Sequence, residues 1–282
     1  MRLSLIFIVL LSVGFQSAVA GGIDIKRDIS YSTNPLDGPE NLLDVYYPED
    51  ISSVKDVLVF IHGGSWNSGK KETYWWLGRN MARKNVVTII INYSLSPGAA
   101  YEKMAADCAK ALKWVSANAG TYGGNPNRIF VMGHSAGAHL AALIHSDPRF
   151  FRKESIPDPI KGIILNDAFG LDMYEYLTVA EQDASTRSFL NTFSTDQEVW
   201  KTASPLYYLK NFEAPVLLFV GGKTYPAIKI QSERLRKDLA ELNRGPKLKI
   251  IPKKKHIPMI AQMIFRGNVL YDYILDFMND LK

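Results

Sequence analysis

Six short apolar runs recur along the chain: "DVLVFIHGG" (56–64), "VVTIIINYS" (86–94), "RIFVMGHS" (128–135), "IKGIILND" (160–167), "APVLLFVGG" (214–222) and "KLKIIP" (247–252). Each is rich in β-branched residues and is separated from the next by a stretch of helical length. Strands with nearly continuous apolar character are buried on both faces, as in a parallel sheet covered by helices. The pattern predicts an α/β fold with a mostly parallel sheet and helices on both faces. Two earlier runs, "KRDISY" (26–31) and "LLDVYYP" (42–48), flank the turn-rich "STNPLDGPEN" and read as an antiparallel hairpin at the sheet edge. Residues 172–209, aromatic-rich and without a strand pattern, read as a small helical insertion over the carboxyl end of the sheet.

The 282 residues are 47% hydrophobic and 22% charged, which supports one domain over residues 21–282. A net charge of +5 with Lys and Arg scattered among acids argues against a nucleic-acid face. The first twenty residues, "MRLSLIFIVLLSVGFQSAVA", differ from the rest. Arg2, the apolar run Leu3 to Phe15 and the small residues Ala18-Val19-Ala20 read as a signal peptide cleaved near Ala20. That implies an exported chain with no stable membrane span after cleavage; an uncleaved anchor is the alternative reading. Cys108 is the single cysteine, so no intrachain disulfide forms.

Two motifs carry chemistry. Gly133-His134-Ser135-Ala136-Gly137 follows one expected strand and opens an expected helix. A serine on such a sharp turn has strained backbone angles, and side chains two residues before and after it would collide with the helix and neighbouring strand. The hydroxyl of Ser135 then stands above the sheet as a nucleophile. His62-Gly63-Gly64-Ser65-Trp66 ends an earlier strand, where glycines let the backbone aim its N–H groups at a developing oxyanion. The donors expected are Gly64, Ser65 and Ala136.

The stretches "HGGSWNSGKKETY", "INYSLSP" and "NPNRIFVMGHSAGAHLAAL" resemble the α/β-hydrolase superfamily, in its carboxylesterase branch of hormone-sensitive-lipase-like and kynurenine-formamidase-like enzymes. The resemblance covers residues 40–282 and is most specific over 57–147. It implies a serine hydrolase acting on a small-molecule ester or small amide, with no cofactor and no metal. Ser94 stands where the related pattern has Arg, which puts a local salt bridge in doubt.

In these folds the order along the chain is serine, acid, histidine. His256, between the last strand and the final helical segment, has the position of the base. His62 and His134 flank the motifs, and His139 and His145 lie inside the helix after Ser135. The adjoining Lys253, Lys254 and Lys255 read as a solvated loop, or as cations that draw anionic substrates toward the histidine. The resemblance places the acid in the turn after the penultimate strand, yet "VGGKTYPAI" (220–228) holds no carboxylate. Any carboxylate that reaches the far nitrogen of the histidine can serve. Asp167, at the end of the neighbouring strand, is the first choice. Asp172, Glu233, or a dyad with Thr224 or water in the acid's place remain open; Asp107 and Asp147 read as structural. The expected activity is ester cleavage through an acyl-enzyme on Ser135. The alternatives are an arylformamidase or small peptidase on the same scaffold, or a binding protein without catalysis. Tyr174, Tyr176, Phe189, Phe193 and Trp200 of the insertion line a substrate pocket or pack beneath it.

Overall fold

The computed structural model describes residues 22–32, 41–181 and 183–281. The expected signal peptide and most of the first turn lie outside them. Eight strands form one sheet: β1 (Ile23–Ser30), β2 (Leu42–Pro48), β3 (Lys55–Ile61), β4 (Val87–Ile91), β5 (Gly124–His134), β6 (Ile160–Asn166), β7 (Val216–Gly221) and β8 (Lys247–Ile251). Their order across the sheet is β1-β2-β4-β3-β5-β6-β7-β8. β1 pairs antiparallel with β2, as the hairpin reading required, β2 also pairs antiparallel with β4, and every later pair is parallel.

The helices are α1 (Trp75–Ala82), α2 (Tyr101–Asn118), α3 (Ala136–Ser146), α4 (Arg149–Lys153), α5 (Met173–Val179), α6 (Ala184–Phe193), α7 (Gln197–Thr202), α8 (Pro226–Glu241), α9 (His256–Ala261) and α10 (Val269–Asn279). Successive strand residues point to opposite faces, and both faces are apolar. Val57, Val59, Ile61, Ile129 and Val131 pack with residues of α2, α3 and α8. Leu58, Phe60, Phe130 and Met132 pack with Trp76, Leu77 and Met81 of α1 and Leu270, Ile274 and Phe277 of α10. This two-sided burial is why the strands read as unbroken apolar runs.

The stretch between β6 and β7 is helical, as the sequence indicates, and it is not a detached lid. Phe193 and Trp200 are buried and join the same core as α2 and α3. The antiparallel strands occupy one edge, so the carboxyl ends of β3, β5, β6, β7 and β8 lie side by side. Their loops carry Ser65, Ser135, Asp167, Thr224 and His256, in that spatial order.

Candidate active site

Ser135 sits between β5 and α3 with φ 55° and ψ −121°, a conformation that is costly for a residue with a side chain. The flanking glycines allow it. A Cβ at Gly133 would overlap the backbone of Gly137 and Ala138, and one at Gly137 would overlap the Ile61 carbonyl at the end of β3. The strain is held by hydrogen bonds on both sides: Ser135 N–H donates to the Asn166 carbonyl at 3.1 Å, and the Ser135 carbonyl accepts from Ala138 and His139 at 3.0 and 3.1 Å.

His256 is the first residue of α9. Its Nε2 lies 2.8 Å from Ser135 Oγ and its Nδ1 lies 2.8 Å from Asp167 Oδ2. Strands sit about 4.8 Å apart, so the end of β8 is roughly 14 Å from that of β5. The Lys253–Lys255 segment covers that gap by crossing the end of β7. Gly222 N–H donates to the Ile251 carbonyl and Lys223 N–H to the Lys254 carbonyl, each at 2.8 Å, and Asn166 Nδ2 reaches the Met259 carbonyl at 3.2 Å.

Of the carboxylates offered by the sequence, Asp167 is the one that reaches His256. It follows β6 directly, is fully buried, and takes φ 52°. Its Oδ1 accepts the Gly221 N–H at 2.8 Å, and its Oδ2 accepts the Thr224 hydroxyl as well as the histidine. The turn after β7 therefore supplies donors to an acid carried by β6. Asp172 is elsewhere: it caps α5, accepting Glu175 N–H at 2.8 Å, and pairs with Arg234 at 2.7 Å. Glu233 pairs with Arg236. Asp107 holds Lys103 and accepts Ser94 N–H at 3.0 Å, and Asp147 pairs with Arg149, as structural residues do.

The loop after β3 turns through three positive φ values, at Gly64 (133°), Ser65 (51°) and Trp66 (59°). Among the described residues, the Gly64 and Ser65 amides donate to no backbone carbonyl, and Ala136 opens α3, where helical amides have no helical acceptor. Several buried groups fix this loop. Trp66 Nε1 donates to His139 Nδ1 at 3.2 Å, and the indole packs edge-on against Phe189 and Phe193. The His62 ring stacks on Tyr93 at 4.5 Å, while Tyr93 Oη donates to the His62 carbonyl at 2.9 Å. Lys71 is buried against Asp28, Asp44 and Glu72 at 2.6–2.8 Å. Burial opposes its charge, but the three carboxylates outweigh that and hold the ammonium above its ordinary value.

These supports are invisible in the sequence, where only the glycines signal the loop. His139 and His145 are both buried and bonded: His139 Nε2 to the Ala203 carbonyl at 2.7 Å, His145 to Asp158 at 2.5 Å. Burial, and secondarily His256, pushes His134 down to about 3; its ring stacks on that of His256 at 4.8 Å. It stays neutral beside His256.

Ser135, His256, Gly64 and Ser65 open onto a cavity of about 1040 Å³. Tyr176 and Phe189 of the insertion line it, beside Tyr74, Tyr225, Ile230 and Ile260. Of the insertion's aromatics, then, two face the cavity, Phe193 and Trp200 are core, and Tyr174 carries Lys201 over its ring.

Serine, histidine and aspartate brought together in this order on adjoining strand ends of such a sheet are the arrangement of the α/β-hydrolase fold. The chain belongs to the BD-FAE family, whose model matches residues 43–239. It is 28% identical over 265 residues to isoprenylcysteine alpha-carbonyl methylesterase ICME of Arabidopsis thaliana, across 89% of this chain and 61% of that protein. It is 30% identical over 214 residues to esterase LipQ of Mycobacterium tuberculosis, across 71% of this chain and 49% of that one. The chain thus spans about three fifths or less of the length of these relatives. The fold matches the crystal structure of esterase B from Lactobacillus Rhamnosis with a TM-score of 0.78 at 19% identity, over 92% of this chain and 86% of that one.

Proposed function

We propose that the protein is a serine hydrolase that cleaves carboxylic esters through an acyl-enzyme on Ser135. The observation that carries this reading is the unbroken relay from Ser135 Oγ to His256 Nε2 and from His256 Nδ1 to Asp167 Oδ2, each step 2.8 Å, at the floor of a large cavity. With Nδ1–H donated to Asp167, Nε2 has its lone pair toward the serine and takes its proton as Oγ attacks the ester carbonyl. The imidazolium is stabilised by the buried carboxylate, and the amides of Gly64, Ser65 and Ala136 receive the oxyanion. His256 then protonates the leaving alcohol, and water repeats the cycle on the acyl-enzyme. Relatives named esterase and methylesterase support an ester over an amide as substrate class. The non-catalytic alternative rested on a missing acid, and the contact between Asp167 and His256 weighs against it.

The test is a fluorophosphonate probe, which should label the wild type and not Ser135→Ala, together with turnover of short-chain aryl esters against N-formyl amides. Equal labelling of both proteins refutes the nucleophile; faster cleavage of formamides transfers the activity to that class. We further propose export, with cleavage near Ala20; mass spectrometry of exported protein should find Gly21 at its N-terminus, and an intact Met1 there refutes this. Among the described residues no helix is long and apolar enough to cross a membrane.

A further inference from the structure

Large apolar side chains normally leave water, and those that stay exposed together mark an interaction surface. Val179, Tyr225, Ile230, Ile257 and Ile264 are each between 50% and 78% exposed, and all of them line the same cavity. They come from α5, the start of α8, α9 and the turn before α10, so four separate segments place apolar groups around one opening. Phe265, 72% exposed, follows Ile264 directly. At the amino end of the sheet, where β3 and β8 begin, the exposed large apolar residues among those described are Ile51, Val54 and Leu242, and none of them lines this cavity.

The same rim is basic. Lys223 and Lys229 flank Tyr225 and Ile230, Lys253 and Lys255 precede Ile257, and Arg266 follows Phe265; all are exposed. The carboxylates bordering the cavity are engaged: Glu175 accepts from Gln231 at 3.3 Å and faces Arg234 at 3.9 Å, while Asp183 caps α6 through Thr186 N–H at 2.8 Å.

We propose that this rim docks on an anionic lipid surface, with the apolar side chains entering the headgroup boundary and the Lys and Arg residues facing lipid phosphates. Apolar groups surrounded by cations are what such a surface selects. A purely aqueous small substrate needs no exposed apolar collar. The docked orientation turns the mouth of the cavity toward the lipid, so an ester dissolved there reaches Ser135 without crossing water; this last consequence, and not the docking, rests on the proposed hydrolase activity.

The experiment is co-sedimentation of the full chain with vesicles of equal parts phosphatidylglycerol and phosphatidylcholine, and with phosphatidylcholine alone. The wild type should partition onto the anionic vesicles and be released by salt. Each cation near the surface is worth about fivefold in partitioning, so Lys229→Gln, Lys253→Asn and Arg266→Gln together should cost about a hundredfold on anionic vesicles and little on neutral ones. Phe265→Asp should lower partitioning at least tenfold on the anionic vesicles. Turnover of a soluble aryl ester should persist in both variants, which separates failed docking from failed hydrolysis. The proposal is overturned if the wild type stays in the supernatant at low salt, or if both variants sediment like the wild type, since binding then arises elsewhere in the chain. It is also overturned if sedimentation velocity finds a dimer that Phe265→Asp dissociates, which assigns the rim to a second copy of the chain.

Discussion

Replacing Asp167 by Asn changes no volume, so its effect isolates the charge and the hydrogen-bond pattern. Three donors converge on the carboxylate: Gly221 N–H, the Thr224 hydroxyl and His256 Nδ1–H. An asparagine has one acceptor oxygen and one NH₂ group, so it cannot satisfy all three. If its oxygen keeps Gly221, the NH₂ faces His256, whose Nδ1 must become the acceptor. The proton then moves to Nε2, and the base presents an N–H to Ser135. If the oxygen turns to His256 instead, the NH₂ meets the Gly221 N–H, leaving a buried donor unpaired at about 1–3 kcal/mol, and the imidazolium still loses its counter-charge. The first arrangement is the cheaper, and a wrong histidine tautomer costs about 10⁴ in turnover in serine hydrolases, close to 5.4 kcal/mol. Asp167→Asn should therefore lower kcat for an aryl ester by at least about 10³, with an unchanged far-ultraviolet circular dichroism spectrum. Asp172→Asn keeps the acceptor that caps α5 and loses only the ion pair with half-exposed Arg234, so it should cost at most about 1 kcal/mol of stability and less than about tenfold in turnover. A folded Asp167→Asn retaining more than a tenth of wild-type turnover would refute this account of the acid.

Gly137→Ala forces a methyl into the Ile61 carbonyl at the end of β3; either β3 or the serine turn must move, and turnover should fall at least about a hundredfold, checked against a thermal melt. Lys71→Met strands the buried Asp44 carboxylate and should destabilise by about 3–5 kcal/mol in urea titration, with Asp44→Leu in the same chain restoring most of it. His62, His134 and His139 are held by burial at about 4, 3 and 4. Because these folded values lie below the ordinary 6.5, the unfolded chain binds more protons in acid. Stability should fall as pH drops below about 6.5, by up to about 1.4 kcal/mol per histidine per pH unit, down to the folded values. Urea midpoints at pH 7 and 5 measure this, and equal midpoints exclude it.

The strands were legible because two-sided burial leaves unbroken β-branched runs. Ser135 and the Gly64 loop were legible because both need glycines at fixed spacing for steric reasons. The acid was not fully legible, since a carboxylate needs only to reach a nitrogen, and both Asp167 and Asp172 follow β6. The spacing Asp172-x-x-Glu175 before a helix is an N-cap signature that separates them, and the structure bears it out. The loop supports stayed hidden for a different reason. Trp66 with His139 and Lys71 with Asp28 join segments far apart in sequence, and neither pair carries a local pattern.

The crossing of residues 253–255 over the end of β7 inverts the usual tolerance of a surface loop. Exposed loops ordinarily accept insertions and deletions more readily than core positions accept changes of side chain. Here the lysine side chains face solvent and are exchangeable as far as turnover is concerned, whereas the number of residues is a calibrated length. It is set by the gap between β8 and the serine, with Gly222 and Lys223 gripping the strand of chain midway. One residue more or fewer moves His256 by about 3.5 Å, beyond hydrogen-bond reach of both Ser135 and Asp167. In a library of variants this loop would accept most substitutions that keep its count, apart from proline at Lys253 and Lys254 and β-branched residues at Lys253, whose φ is 62°, and it would be closed to any change of count.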